Sequence, residues 1–138
     1  MPRIGVFGGS FNPIHLGHLL LAEDILEILP LDRILFVPAA APPHKPARGL
    51  APAPDRYAMT ELAIGGNPRF AISDLELRRP GPSYTVDTLE ALRREAGAGA
   101  TLFLLIGSET FLDLLSWKEL QRLAQLARLV VIPRAESA

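Results

Sequence analysis

Five short apolar runs, separated by longer stretches with regularly placed polar positions, set the pattern of the chain. Most of these runs are continuously apolar rather than alternating, which is typical of strands that are buried on both faces. The predicted strands are Ile4–Phe7, Arg33–Pro38, Phe70–Leu77, Thr101–Gly107 and Ala127–Pro133.

Between the runs, apolar residues recur at the three- and four-residue spacing of an amphipathic helix. The predicted helices are 18–29, a helix ending at Ile64, 86–96 and two short pieces after Gly107. Preferred N-cap residues stand near three of the helix starts. They are Asp55 for the second helix, Thr85 or Ser83 for the third, and Ser116, in a capping box with Glu119, for the last.

The alternation of strands and helices predicts an α/β fold. We expect a Rossmann-like, doubly wound, mostly parallel five-stranded sheet with helices on both faces. The length of 138 residues suits a single domain, 1–138. Ligands of such folds bind at the carboxyl ends of the strands. The loops after Phe7, Pro38, Leu77 and Ile106 should therefore converge on one edge and form a site.

Composition and charge exclude several classes of protein. The net charge of -1 gives no electrostatic reason to expect nucleic acid or an anionic membrane as a partner. The absence of cysteine excludes disulfides and thiolate metal sites. No apolar run approaches the ~20 residues of a membrane-spanning helix, and the N-terminus does not resemble a signal peptide. We therefore expect a cytoplasmic protein.

Two of the three histidines stand close together in the segment GVFGGSFNPIHLGH, after the first predicted strand. A lone histidine is usually an ordinary surface or core residue, but His15 and His18 share one glycine-rich turn. A zinc site needs about four ligands, and the remaining histidine of the sequence is His44. A nucleophilic serine is not favoured, because GGSFN is not the G-x-S-x-G elbow.

Anion binding is the chemistry that fits this segment. The start of a helix offers unpaired N–H groups and a partial positive charge, and glycines let the backbone approach an anion closely. His15 and His18 can each donate a ring N–H to phosphate oxygens, and a polyphosphate is expected to raise the pKa of such a histidine. The segment is neither a P-loop nor G-x-G-x-x-G.

The segment GGSFNPIHLGH resembles the (T/H)-x-G-H signature of the nucleotidyltransferase α/β phosphodiesterase superfamily. Its form is similar to that of bacterial nicotinate mononucleotide adenylyltransferases. Four further matches follow in sequence order and extend the resemblance over nearly the whole chain. They are PPHKP at 42–46, LRRPGPSYTVDTL at 77–89, Ile106–Gly107 with Glu109 and Trp117, and VVIPR at 130–134.

The resemblance implies that the adenylyl group of ATP is transferred to nicotinate mononucleotide, which gives nicotinate adenine dinucleotide and pyrophosphate in NAD biosynthesis. The mononucleotide phosphate attacks directly, so catalysis rests on positioning and on stabilisation of charge. His15 and His18 are the expected catalytic residues. Mg²⁺ is expected to bridge phosphate oxygens of ATP with few protein ligands, and no protein metal site is expected.

The resemblance also assigns binding residues. For ATP they are Gly8, Gly9, Ser10, Phe11, His15, His18, Gly107 and Glu109. For the small-molecule substrate nicotinate mononucleotide they are Lys45, Tyr84, Thr85, Trp117 and Arg134.

Each of four assigned residues has an ordinary alternative role. Lys45 is otherwise a solvated loop lysine, Trp117 a core aromatic, Glu109 an acid in the first turn of a helix, and Arg134 a cap of the sheet edge. In the family, the tryptophan stacks on the pyridine ring, and the Tyr-Thr pair reads its acid group. No nearby aspartate obviously repels a carboxylate there, which favours nicotinate over nicotinamide.

Two features depart from the family pattern. Glu109 stands where the family usually has an aspartate. The negative charge is retained, but the side chain is longer. Family members continue for some tens of residues with a [ST]-x-x-R motif that grips the ATP phosphates, whereas this sequence ends at PRAESA. We therefore expect weaker ATP binding or turnover from this chain, and an uncovered apolar sheet face that favours homo-oligomers.

Two alternative functions stay open. One is another adenylyl- or cytidylyltransferase of the superfamily, acting on phosphopantetheine or glycerol phosphate; such enzymes usually lack Tyr84, Thr85 and Trp117 at these positions. The other is a truncated, non-catalytic nucleotide-binding module, which binds nucleotide without releasing pyrophosphate.

Overall fold

The computed structural model of the chain describes residues 2–9, 11, 13–40, 49–79, 84–107 and 116–132. Within these ranges, five strands alternate with four helices. The strands are β1 (Arg3–Gly9), β2 (Arg33–Pro38), β3 (Phe70–Ile72), β4 (Thr101–Gly107) and β5 (Arg128–Ile132). The helices are α1 (Leu16–Ile28), α2 (Ala53–Ile64), α3 (Thr85–Ala96) and α4 (Leu120–Leu126).

All five strands are parallel and lie in the order β3-β2-β1-β4-β5. The central strand β1 pairs with β2 on one side and with β4 on the other, so that Val6 lies opposite both Leu35 and Leu104. The chain therefore builds the sheet outward to β3 and then returns to start the second half at β4. The predicted Rossmann-like fold is confirmed, and the sheet in the described residues is entirely parallel.

The core has two layers, one on each face of the sheet. Successive strand residues alternate between them: Leu104 belongs to one cluster and Leu105 to the other, as the two-residue period of a strand requires. Leu89 of α3 and Leu123 of α4 are fully buried in the first cluster, while α1 and α2 supply buried residues to the second. Helices thus cover both faces, as predicted.

The third strand is shorter than the sequence pattern predicts, ending at Ile72 instead of Leu77. Directly after it, the Ser73 hydroxyl accepts a hydrogen bond from the Leu75 N–H at 3.1 Å, and Arg78 donates to Asp74 at 2.7 Å. Such local side-chain bonds compete with the strand ladder and favour a turn. The apolar pattern of this segment therefore continues beyond the strand itself.

The predicted helix caps are wrong in each case that the structure describes. The second helix begins at Ala53 with Pro52 as its N-cap, and Asp55 lies in its first turn. Tyr84, instead of Thr85, is the N-cap of α3. The last helix begins at Leu120 after Glu119, whose φ is 49°, so the predicted capping box at Ser116 does not start it. Ser83 and the segment predicted to hold the first short helical piece (108–115) lie outside the described residues.

Among the described residues, no helix combines the length and the apolar character needed to cross a membrane.

Candidate active site

The carboxyl ends of β1 and β4 lie side by side where the strand order reverses, which is the usual ligand crevice of an open parallel sheet. Both strands end in glycine. A Cβ added to Gly107 meets no atom within 4 Å, and one added to Gly8 meets only the Val37 carbonyl, at 3.9 Å. The backbone at Gly107 and Gly8 is therefore open to a ligand, whereas a Cβ on Gly9, the last residue of β1, would contact the Phe11 ring at 3.4 Å.

Phe11 stands two residues after the end of β1. It takes a positive φ of 47° and yet is almost completely buried. Its ring meets the Phe7 ring edge-on, with 5.5 Å between centroids. A left-handed backbone costs free energy in a residue other than glycine, and burial of this ring in the core offsets that cost. Phe11 is thus anchored in the core, between β1 and the histidine pair.

The two histidines form one unit at the start of α1. His15 is the N-cap residue, and its backbone N–H donates to Nδ1 of His18 at 3.0 Å. The two rings stack with 3.8 Å between centroids and 25° between planes. Because Nδ1 of His18 accepts this bond, the proton of the neutral ring resides on Nε2. His18 therefore presents an Nε2–H donor of fixed orientation.

The pKa of His18 is lowered to about 4 from an ordinary value of 6.5. Desolvation by burial is the larger cause, and the charge of the neighbouring His15 is the second. The Phe7 and Phe11 rings approach it edge-on, with centroids 6.0 and 5.3 Å away. A bound phosphate is predicted to raise the pKa of this histidine, whereas the protein's own groups lower it and keep His18 neutral near pH 7.

Gly17 explains the spacing of the H-x-G-H segment. A Cβ at this position would lie 3.0 Å from both Cε1 and Nδ1 of His15, closer than nearly all real contacts. A larger residue would push the His15 ring, which stacks on His18, by a few tenths of an ångström. The glycine therefore provides the space in which the pair forms.

A second group of predicted site residues lies at the start of α3 and before α4. Tyr84 is the N-cap of α3 and Thr85 its first residue. Tyr84 and Trp117 are both partly buried, and both pack against the core cluster under α3 and α4. The structure therefore brings Tyr84 and Trp117 to the same face of the sheet. Trp117 also contacts the core, as its alternative role of a core aromatic predicts.

An ion pair adjoins this second group. Lys118 Nζ lies 4.8 Å from the centre of the Tyr84 ring and 3.7 Å from Oδ2 of Asp87. Asp87 is in the first turn of α3, so the expectation that no aspartate stands near Tyr84 and Thr85 is wrong. Lys118 offsets this negative charge.

The two groups of site residues lie on opposite faces of the sheet. His18 contacts Phe7 and Phe11, which belong to the cluster under α1 and α2, whereas Tyr84 and Trp117 belong to the other cluster. Four predicted site residues and His44 lie outside the described residues, and their assignments remain predictions. The four are Ser10, Lys45, Glu109 and Arg134.

Sequence reasoning missed three polar features. Lys118 had a weak signal, since it is one of only two lysines and follows Trp117 directly. Thr88, in α3, donates to Glu76 at 2.7 Å and accepts from Arg79, in a largely buried network. Arg56 is the third. No local pattern marks Thr88 or Arg56, because their partners Glu76 and Ala39 are distant in sequence.

A metal centre has no support within the described ranges. They contain no group of three or more His, Cys, Asp or Glu side chains that could hold an ion.

The profile of the cytidylyltransferase-like family matches residues 6–136, which include the strand-end glycines, the histidine pair and Trp117. The chain belongs to the cytidylyltransferase-like family. The similarity thus covers both faces of the site described above.

Among curated relatives of this family member, a Thermus thermophilus protein named a probable nicotinate-nucleotide adenylyltransferase is 56% identical over 132 residues, which cover 96% of this chain and 69% of that protein. A Thermomicrobium roseum protein of the same name is 52% identical over 134 residues, which cover 97% of this chain and 62% of that protein. The chain thus spans about two thirds of the length of these relatives.

Two solved structures of Plasmodium falciparum nicotinic acid mononucleotide adenylyltransferase share the fold. The one complexed with NaAD superposes with a TM-score of 0.83 at 23% identity and covers 100% of this chain and 67% of that chain. The one complexed with APC gives a TM-score of 0.80 at 22% identity with the same coverage. The resemblance found from the motifs, and with it the nucleotidyltransferase class, is confirmed by the family match and the curated relatives.

Proposed function

We propose that this cytidylyltransferase-like chain transfers the adenylyl group of ATP to nicotinate mononucleotide. The products are nicotinate adenine dinucleotide and pyrophosphate, in NAD biosynthesis. The observation that carries the proposal is the stacked His15–His18 pair at the end of β1, in a chain 56% identical to a relative named for this activity.

In the proposed reaction, a phosphate oxygen of the mononucleotide attacks the α-phosphorus of ATP. The new P–O bond forms as the bond from the α-phosphorus to the bridging oxygen breaks, and pyrophosphate leaves with that oxygen. Ser10, Gly8 and Gly9 are proposed to line the phosphates; the proposal is supported by the open backbone at Gly8, where an added Cβ would meet only the Val37 carbonyl, at 3.9 Å. His18 is proposed to donate its Nε2–H, and His15, which is exposed, a ring N–H. These donors would stabilise the negative charge that develops on the phosphates.

The pyridine end is proposed to lie on the α3 and α4 face. Trp117 provides an aromatic surface for the ring, and Tyr84 and Thr85 place the first N–H groups of α3 near its acid group, where the helix dipole favours an anion. Lys118 supports the same preference, because it offsets the charge of Asp87. Lys45, Gly107, Glu109 and Arg134 complete the proposed set.

We further propose that Mg²⁺ arrives with ATP as the Mg–ATP complex and that its ligands are mainly phosphate oxygens. Self-association and a cytoplasmic location are also proposals. The first has a physical basis in the exposed apolar side chains Leu16 and Leu20 of α1, which are 66% and 51% exposed. Sedimentation of a clean monomer at high concentration would count against it.

Thermal unfolding of this chain with each substrate alone tests the assignment. Nicotinate mononucleotide and Mg–ATP are each expected to raise the Tm, since a ligand of the native state stabilises it. Nicotinamide mononucleotide, phosphopantetheine and glycerol phosphate serve as controls. Product formation from Mg–ATP and nicotinate mononucleotide, with release of pyrophosphate, is then followed by chromatography.

The outcomes distinguish the candidate functions. Stabilisation by phosphopantetheine and by neither pyridine nucleotide would replace the proposed substrate by another acceptor. Binding of both proposed substrates without pyrophosphate release would identify a nucleotide-binding module in place of an enzyme. Formation of nicotinate adenine dinucleotide, faster than the nicotinamide product, would establish the proposal.

A further inference from the structure

Arg56 is the largest fully buried side chain of the described residues, with only 1% of its surface exposed. It lies in the first turns of α2, and no step of the proposed reaction uses it. Burial of a guanidinium is costly unless hydrogen bonds replace its water. Its hydrogen-bond partners therefore indicate what this residue does.

Three hydrogen bonds of Arg56 go to backbone carbonyls at the two ends of one connection. Nη1 donates to the Ala39 carbonyl at 2.6 Å and Nη2 to the Ala40 carbonyl at 3.4 Å, directly after β2. Nε donates to the Ala51 carbonyl at 2.8 Å, directly before α2. One planar group thus joins the point where the chain leaves the sheet to the point where it enters the next helix.

The Ala39 peptide also contacts the proposed phosphate site. Its N–H donates to the Gly9 carbonyl at 2.9 Å, and Gly9 is the last residue of β1. The same residue is therefore held on one side by the strand that leads to the histidine pair and on the other by the guanidinium. In sequence, Lys45 stands between the two ends that Arg56 joins.

We propose that Arg56 is a positioning residue, which fixes the backbone after β2 against the end of β1 and so sets the geometry for substrate binding. The inference rests on the proposed function. The planar fork of an arginine can serve carbonyls on both sides at once, whereas a lysine ammonium is a single point. Replacement by lysine should therefore loosen the connection even though the charge is retained.

Arg93 offers a matched control. Its guanidinium likewise donates to three backbone carbonyls, those of Gly97, Ala100 and Leu126. Ala100 and Leu126 precede β4 and β5. Arg93 therefore stabilises the amino-terminal ends of these strands, whereas Arg56 binds the backbone after the carboxyl end of β2. A merely structural role for Arg56 would make R56K and R93K alike in every respect except the extent of their destabilisation.

The experiment compares R56K with R93K at temperatures equally far below their respective Tm values. For R56K we expect the KM for at least one substrate to rise about tenfold or more, since small misplacements at a reacting site are costly, with a smaller change in kcat. For R93K we expect both constants to stay near those of the parent. R56Q, which has no charge to bury, is a second variant should R56K not fold, and the same pattern is expected.

Native-state hydrogen exchange provides a readout without activity. The Ala39 amide should exchange about tenfold or more faster in R56K than in R93K, relative to amides in β4. Equal KM values and equal Ala39 exchange in the two variants would overturn the proposal. If the parent shows no turnover, the proposed function fails, whereas the exchange of Ala39 still decides whether Arg56 positions this backbone.

Discussion

At the scale of single residues, His18 combines two tasks in one ring. Its Nδ1 accepts the His15 N–H at the start of α1, and its burial keeps the ring neutral near pH 7. A neutral ring whose Nδ1 is engaged can only donate through Nε2. The proposed phosphate contact is thus a hydrogen bond of fixed direction in place of an ion pair.

Replacing His18 by asparagine separates the two tasks. The shorter amide of the H18N variant retains an acceptor near the place of Nδ1 but does not extend to the place of Nε2. We expect turnover to fall about 10²–10³-fold with a Tm close to that of the parent. The H18A variant should lose, in addition, about 1 kcal/mol of stability with the cap. Steady-state kinetics and thermal unfolding of both variants measure these effects; equal stabilities would contradict the capping role.

The lowered pKa of His18 predicts how stability depends on pH. Its folded-state pKa of about 4 lies below its ordinary value of 6.5, so the unfolded chain takes up the proton first as the pH falls. The contribution is fully present above pH 6.5 and is lost as the pH falls towards 4. Between pH 7 and pH 5, denaturant unfolding should show the parent losing on the order of 1 kcal/mol more than H18N, after allowance for solvent screening. Parallel losses would contradict the assignment.

At the scale of helices and strands, the sequence predicted those elements that a local hydrophobic pattern determines. The continuous apolar runs at Arg33–Pro38 and Thr101–Gly107 match β2 and β4 residue for residue. The predicted N-caps were wrong because several residues near each helix start can act as the N-cap, and tertiary packing determines which one does. The left-handed Glu119 before α4 has no sequence signal, since glycine or asparagine is the usual residue there.

The candidate site likewise contains residues that a local sequence pattern reveals and residues that it does not. His15 and His18 are three residues apart and share one turn, so a single segment reveals them. Arg56 donates to the Ala39 carbonyl, 17 residues away in sequence, and Thr88 donates to the Glu76 carboxylate, 12 residues away. A single sequence contains no sign of such partnerships, and only the three-dimensional structure shows them.

The Thr88–Glu76 hydrogen bond predicts that substitution of two buried threonines, Thr88 and Thr60, destabilises the protein to different extents. Thr88 donates to a carboxylate, whereas the Thr60 hydroxyl donates only to the Arg56 carbonyl of its own helix, at 2.8 Å. We expect T88V to lower the free energy of unfolding by about 1.5–3 kcal/mol, because hydrogen bonds to charged groups are stronger, and T60V by about 1 kcal/mol or less. Chemical denaturation measures both; equal losses would show that the network contributes little.

At the scale of the whole molecule, the open strand ends of the proposed site lie away from the middle of the sheet, although Phe11 and Trp117 also contact the core. Gly5 lies in the middle of β1, where an added Cβ would be 2.9 Å from Leu31 Cδ1 and 3.2 Å from Ile34 Cγ1. Stability and substrate binding should therefore respond separately to substitutions.

The G5A variant tests this separation. Overpacking should lower the free energy of unfolding by about 1–3 kcal/mol, while KM values stay at those of the parent, because the strand ends are unchanged. G66A is the control, since a Cβ there meets no atom within 4 Å, and its stability should lie within about 0.5 kcal/mol of the parent. Thermal unfolding and kinetics of the two variants decide; an altered KM in G5A would show that core packing reaches the site.

The division of the proposed site between two faces of one sheet also bears on how such a protein diversifies. The histidine pair rests on the α1 and α2 side, and Tyr84 and Trp117 on the α3 and α4 side, with β1 and β4 between them. Under the proposed assignment, substitutions on the second side would exchange one acceptor molecule for another, while the histidine side would still bind ATP. Substitutions on the two sides should then combine nearly additively, which lets one scaffold acquire new acceptors without rebuilding its phosphate chemistry.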